Sequence, residues 1–445
     1  MRRAPLALAT AAATVTMTLS ACSFATSDGS SAQPGAAELD LPAELTPEPG
    51  TDIPQVTVKA GFAPYGDGLI AVAGERLGFF EDAGISFSEP NGIQADFSQS
   101  FTPMLNGQVE VGSAYMPFFA QQLDTVTTVR AFVLTDVYLG TRILAPVGKY
   151  QTVSELMAQG QSFHDAAATA MAQLRGKKML MPDGVDPTFH NLALRQADMQ
   201  LSDVDVVRMS NPDIVRTAQA GDTDFAAPDG AVQITQLQQS GWEPIVDIGQ
   251  VIEAMPEQTL DVRNTHTAFT TTTDFAENNY NTILRYAGVT YRIIDALEND
   301  PQGTAAAFTD YLNSYTGSEL TVDEVAGLFS NGLYSYRGFD SAADFLGPSD
   351  SSPFVFDETA AAQLATLQEN GVLTGDHTPA DMSIADKVYQ DLLAYRTEAD
   401  KLIATAPDGD LKQQAQEYYG QFNYLDAYRF ALAANDADAA EDGTR

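Results

Sequence analysis

From residue 55 to about residue 248 the sequence alternates between short apolar runs rich in β-branched residues and longer segments whose apolar side chains recur at helical spacing. Val56 and Val58 open the series and lead into a Gly/Pro loop at 62–67, after which 69–77 repeats apolar residues every three or four positions and stops at Gly78. Strand-type runs follow at 85–88 and 109–112 with a helical segment at 97–106 between them, and 131–134 and 141–145 add two more. A helical stretch at 152–174 opens a second cycle, with strand runs at 178–181, 205–208, 224–227 and 244–248 and helices beginning at Thr188, Asn211 and Gly230. Strand, helix and strand in that order place the two strands parallel, and parallel sheets are covered by helices on their faces. Two consecutive α/β units are therefore expected. Beyond 275 the pattern is helical throughout, at 275–299, 303–315, 321–328, 357–370, 383–404 and 411–434. The last of these carries Leu411, Ala415, Tyr418, Tyr419, Phe422, Leu425 and Leu432 at near-helical spacing, a stripe that reads as core packing.

Composition excludes several chemistries. Sixty acidic side chains stand against 23 basic ones, a formal charge of -37, which leaves no basic patch for a phosphate backbone and excludes nucleic acid as a partner. With one cysteine and four histidines there is no internal disulfide and no thiolate cage, and no metal site or cofactor is expected. No Gly-x-Ser-x-Gly elbow, phosphate loop of Gly-x-x-x-x-Gly-Lys type or His-Glu-x-x-His helix occurs. Acids are so numerous that a carboxylate pair arises by chance, so pairing alone argues for no enzyme.

The amino terminus reads as an address. Arg2 and Arg3 precede an apolar run at 4–19 that is short and rich in Ala and Thr, an export signal rather than a membrane span. Leu19-Ser20-Ala21-Cys22 then resembles the lipobox of bacterial lipoproteins. That resemblance implies removal of residues 1–21, a diacylglyceryl group on the Cys22 thiol, and anchoring at the outer face of the bacterial cell membrane; an ordinary secretory peptide with an incidental cysteine is the alternative. Residues 22–54 are rich in Ser, Ala, Pro, Gly, Asp and Glu and read as a flexible tether, reaching roughly 30 Å root-mean-square at about 5–6 Å times the square root of its length.

Five blocks resemble the solute-binding lipoproteins of ABC importers, in the branch serving nitrate, taurine, aliphatic sulfonates and thiamine-pyrimidine precursors. They are Gly78-Phe79-Phe80-Glu81-Asp82-Ala83-Gly84-Ile85, the stretch from Met104 to Gly112, Leu174-Arg175-Gly176-Lys177-Lys178-Met179, the segment from Gly184 to His190 with Asp205-Val206-Val207, and the run from Gly221 to Ala227. Glu110 stands where that family usually has Asp, Val185 where Ser or Thr is common, and the chain continues past the family's usual end near Arg396. The resemblance implies an α/β, two-lobed periplasmic-binding-protein type II fold with extra C-terminal helices. Lobe 1 would comprise 55–143 and 272–395, lobe 2 residues 144–271, and the extension 396–445, with crossings near 139–145 and 266–273. It also implies a small-molecule solute, delivery to an ABC permease with its cytoplasmic ATPase, a monomer, and no catalysis. Alternatives are a sensor or assembly lipoprotein on the same fold, or an enzyme like the pyrimidine-precursor synthases, which share the fold and use histidine and iron; His190 is the single candidate for the latter.

In such a fold ligands bind outside the carboxyl ends of the parallel strands, where loops feed helix N-termini. Those ends offer Tyr65, Tyr115 and Phe189 as apolar walls and Asp67, Asn91, Ser113, Asp186, Thr188, His190 and Asp229 as polar groups. Each has a plainer reading as well: loop packing for Tyr65 and Tyr115, helix packing or capping for His190, and N-capping of residues 231–233 for Asp229. Arg142, in the expected first crossing, is offered either to an anion or to a surface ion pair. The aromatic loop ends and scarce basic residues tilt the expectation toward a neutral or amphipathic organic solute.

Overall fold

The short strands assemble into two mixed sheets of similar plan. In the computed structural model, which describes residues 39, 41, 47–95, 101–182, 187–347 and 352–442 within one compact unit, Gly35–Arg445, the larger sheet has six strands. Its order is Tyr334–Tyr336, Val129–Tyr138, His266–Thr272, Val111–Tyr115, Ala60–Phe62 and Ile93–Gln94. The last three run parallel, and His266–Thr272 is antiparallel to both its neighbours. The five-stranded sheet runs Trp242–Asp247, Arg142–Pro146, Phe225–Ala226, Lys178–Met181 and Asp205–Arg208, again with three parallel strands and an antiparallel one, Arg142–Pro146, beside them. Val56–Val58 and Ile85–Phe87 form a separate parallel pair.

The antiparallel strands carry the chain between the sheets. Val129–Tyr138, buried along its whole length, passes through residues 139–141 straight into Arg142–Pro146 of the other sheet. The return was expected at 266–273, but those residues form a strand inside the six-stranded sheet, paired on both sides and almost wholly buried. The return crossing therefore precedes His266, through the helix Ile248–Ala254 and the 3₁₀ turns Pro256–Gln258 and Leu260–Val262.

Three long helical expectations are divided by local chemistry. The stretch 152–174 becomes Val153–Ala158, started by a capping box between Thr152 and Glu155, and Phe163–Ala172, capped by Ser162, with Gly160 in the left-handed region between them. Residues 275–299 fall into Thr273–Asn278 and Tyr280–Asn299. The aromatic stripe at 411–434 turns a corner. Phe422 has φ 62°, which no helix interior accepts, and Asn423 Oδ1 takes the Asp426 N–H at 3.3 Å to start the next helix. The result is Asp410–Gly420 packed on Tyr424–Asp442, with Tyr418 against Phe430 and Tyr419 against Tyr424.

The C-terminal helices are integral to the body. Helix Ala385–Thr405 runs unbroken through Arg396, where the extension was expected to begin. Arg285, buried on the helix Tyr280–Asn299, grips Asp426 with two hydrogen bonds, Nε to Oδ2 at 2.7 Å and Nη2 to Oδ1 at 2.9 Å. Asn423 Nδ2 and Arg429 Nη1 donate to the same carboxylate at 2.9 and 2.7 Å. Gly288 lets the corner come close: a Cβ there would lie 2.5 Å from the Phe422 carbonyl oxygen. Residues 47–54, tether by composition, lie against these helices. Gly50 N–H donates to the Arg429 carbonyl, Arg429 Nη1 donates to the Asp52 carbonyl, both at 3.2 Å, and Ile53 packs on the cluster of Ala415, Phe430 and Ala431. The apolar side chain of Ile53 gives this segment a surface to bury, as Leu41 does further back against the main core. The apolar run at 4–19, Cys22 and most of the tether lie outside the described residues.

Candidate functional site: a cleft at the carboxyl ends of two sheets

The loops after Ala60–Phe62, Val111–Tyr115 and Phe225–Ala226 and the first turn of the helix Thr188–Arg195 converge, together with both crossings, on one cavity of about 840 Å³ counted to its open mouth. Tyr65, Asp67 and Tyr115 line it from the side of the six-stranded sheet, and Thr188, Phe189, His190 and Asp229 from the other. Seven of the residues expected from the sequence are thus brought together. Two are placed elsewhere. Ser113 is buried and spends its hydroxyl accepting the Ala63 N–H at 3.0 Å, which pins the loop that carries Tyr65. Asn91, with φ 63°, accepts from Arg76 Nε and donates its own N–H to Glu75 Oε2, both at 2.7 Å, outside the cavity. Asp186 lies outside the described residues.

His190 neither caps its helix nor bonds to it. It lies in the first turn of Thr188–Arg195, 2% exposed, its ring edge-on to Phe189, and neither ring nitrogen has a hydrogen-bond partner among the described residues. Burial, reinforced by the Arg208 charge, depresses its pKa to about 4, so the ring is neutral at physiological pH. Asp229 does not cap the helix at 231–239; the N-cap there is Gly230, and Asp229 instead pairs with Asn211, whose Nδ2 donates to Oδ1. Arg142 makes no ion pair among the described residues. Its Nε donates to the Gly140 carbonyl at 2.8 Å and its Nη2 to that of Leu139 at 3.3 Å, so the guanidinium stiffens the first crossing while facing the cavity.

Of the acids at and behind this wall the sequence pointed to Asp67 but not to Asp136. Asp67 is 3% exposed; Oδ1 accepts from Gly68 N–H at 2.9 Å and Oδ2 from Thr267 Oγ1 at 2.7 Å, yet burial raises its pKa in spite of both bonds. Thr267 stands opposite Asp136 in the sheet, and Tyr336 opposite Asp136 on its other side, so these side chains share the face that carries Asp67. Asp136 is fully buried; Oδ1 accepts from Thr135 Oγ1 at 2.7 Å, Oδ2 has no partner, and burial followed by the Asp67 charge raises its pKa well above the ordinary carboxylate range. Tyr138, two residues on, lines the cavity with a buried hydroxyl that also lacks a partner. Its ring folds back over Gly140, where a Cβ would lie 2.1 Å from Tyr138 Cζ, so only glycine fits at that point of the crossing. The available signal was an acid, Asp136, within a ten-residue run otherwise suited to a buried strand.

The helices Ala231–Gln239 and Val322–Ser330 meet across the two sides, where Gln239 Nε2 donates to Glu324 Oε1 at 2.7 Å. Among the described residues no cluster of three or more His, Cys, Asp or Glu could hold a metal ion, and no helix is long and apolar enough to cross a membrane.

Two α/β lobes joined by two crossings, with a cleft at the carboxyl ends of their strands, make this a two-lobed periplasmic-binding-protein type II fold with extra C-terminal helices. The chain is similar to the periplasmic aliphatic sulphonate-binding protein SsuA of Escherichia coli, with a TM-score of 0.52 and 14% identity over 78% of this chain and 100% of that one. It is similar also to the periplasmic nitrate-binding protein NrtA of Synechocystis PCC 6803, with a TM-score of 0.52 and 13% identity over 79% and 92% of the two chains. A third likeness is to the ligand-binding component of an ABC-type import system from Staphylococcus aureus, with a TM-score of 0.51 and 9% identity over 76% and 99%. No protein-family model and no curated protein sequence matches the chain.

Proposed function

We propose that this chain is the solute-capturing component of an ABC importer, exported and held at the outer face of the cell membrane by lipid on Cys22, which takes a small organic solute into the cleft and passes it to a permease. The observation that carries the reading is the cleft itself: apolar walls contributed by both lobes, and buried polar atoms, on His190 and Tyr138, that no protein group satisfies. Buried polar groups in folded proteins are nearly always paired, so atoms left unpaired in a cavity wall are suited to a ligand. The structural likenesses support the same reading, since two are named as periplasmic proteins that bind a small solute and the third as the ligand-binding component of an ABC-type import system. Contacts made by both lobes exist only when the lobes are closed, so a solute shifts the closure equilibrium by its difference in affinity for the two forms.

A thermal-shift screen of the full chain against sulfonates, nitrate, pyrimidines, small vitamins and organic amines tests this. Stabilisation by one of these classes, growing with solute concentration as mass action requires, is the expected outcome. Tyr115→Ala removes a ring packed edge-on against Phe118 and Tyr138 in the wall, and should weaken the binder about tenfold while leaving the unliganded melting temperature nearly unchanged. No shift with any class, or turnover of the solute, contradicts the proposal.

A further inference from the structure

We propose that the solute carries a positively charged nitrogen, held in the cleft over Asp67 with Asp136 behind it and walled by the rings of Tyr115, Tyr138 and Tyr334. This rests on the solute-binding reading and deepens it to a substrate class. Three carboxylates line the cavity, Asp67, Asp229 and Asp261, against one guanidinium, Arg142, and Arg142 already spends donors on the carbonyls of its own crossing. The tyrosines form one continuous wall, Tyr115 edge-on to Tyr138 at 6.3 Å and Tyr138 tilted against Tyr334 at 5.6 Å between ring centroids. Aromatic faces beside carboxylates attract cations through the ring quadrupole and repel anions.

The second observation is the unsatisfied floor. Neither Asp67 nor Asp136 forms an ion pair with a described residue, and Asp136 Oδ2 is buried with no donor among the described residues. The groups on the surrounding elements bring hydroxyls, one further carboxylate and a single cation, Arg142. From the strand Tyr334–Tyr336 come two tyrosines near both acids; from the strand that holds Asp136 come Thr135, donating to it, and Tyr138; from His266–Thr272 comes Thr267, donating to Asp67; and across the cleft Asp229 faces Tyr138 with Arg142. Burial raises the pKa of both carboxylates, and the Asp67 charge raises that of Asp136 further, so the pair holds a proton more tightly than ordinary carboxylates do. An arriving cation supplies the counter-charge, the carboxyl O–H bond breaks heterolytically, and the proton leaves to solvent. Nothing is oxidised or reduced.

The test is isothermal titration of the full chain with choline, butylammonium and butane-1,4-diammonium, against butanesulfonate and nitrate, from pH 6 to 8 in buffers of different ionisation heat. The expected result is saturable binding of at least one cation with release of close to one proton, the affinity rising by about tenfold per pH unit while that proton is released. Asp67→Asn should weaken the cation about tenfold or more, and Asp136→Asn, which cannot share a proton, should reduce the proton release. The two variants are near-isosteric, and circular dichroism checks their fold. Binding of butanesulfonate or nitrate without any cation would overturn the charge assignment while upholding solute capture. Cation binding indifferent to both substitutions would overturn the location, and silence from every probe would overturn the inference and the solute-binding reading together.

Discussion

Two buried polar clusters in this molecule are built on opposite plans. At the C-terminal corner Asp426 is surrounded by Arg285, Arg429 and Asn423, each donating to it. Burial pulls the Asp426 pKa up, but the Arg285 and Arg429 bonds outweigh it and hold the carboxyl below its ordinary value. In the wall of the cleft Tyr138 and His190, and behind it Asp136, are also buried and have polar atoms with no partner among the described residues. The first arrangement stabilises the fold, because a complete network offsets its desolvation. The second costs stability, because an unsatisfied buried group keeps its desolvation penalty. A protein tolerates such a cost where the surface serves something other than folding.

That contrast can be broken or sharpened by substitution. The largest effect is expected at the corner: Asp426→Ala leaves Arg285 buried without its counter-charge and should lower unfolding free energy by about 3–5 kcal/mol in a denaturant titration. A loss below about 1 kcal/mol would put the corner in the same class as the cleft. Acid comes next. His190 and His266 have pKa values depressed by burial to about 4 from an ordinary value near 6.5. The unfolded chain therefore binds protons first, so each histidine contributes stability above pH 6.5 that is lost as the pH falls from about 6.5 toward 4, by up to about 3 kcal/mol apiece. His190→Phe should flatten its share of that slope in pH-dependent melting, and an unchanged slope would mean that the ring is not buried neutral in solution. The smallest effect is at Tyr138. Tyr138→Phe removes a hydroxyl with no partner, so stability should hold or rise by up to about 1 kcal/mol, whereas a loss of 1 kcal/mol or more would reveal a bond to this hydroxyl that the structure does not contain.

Much of the fold was legible because periodicity and order are local properties. The runs at 178–181 and 205–208 coincide with strands, and the helices expected from Thr188 and Asn211 begin there. What periodicity could not supply was the break at Phe422, where a stripe continuous in spacing changes direction through one left-handed residue, and the placement of His266–Thr272, whose membership in a sheet is decided by partners far away in sequence. The lining of the cavity was legible through the loop ends, since Tyr65, Tyr115, Phe189 and His190 stand at or beyond the ends of strands whose direction the alternation sets. Asp136 and Tyr138 were not, because they belong to a strand interior, and which face of a buried strand meets a cavity depends on the register with Thr267 and Tyr336. Asn91 follows a strand too and Ser113 sits inside one, but backbone and side-chain partners nearby claim their polar atoms.

The most direct measurement is hydrogen–deuterium exchange of the full chain with and without whichever solute stabilises it. Slower exchange is predicted in 63–68, 115–118 and 137–142 from one lobe and the first crossing, together with 187–191 and 227–231 from the other, while the helices at 410–420 and 424–442 stay as they were. Protection confined to one lobe, or spread over the C-terminal helices with the cleft segments unaffected, would contradict capture between the lobes.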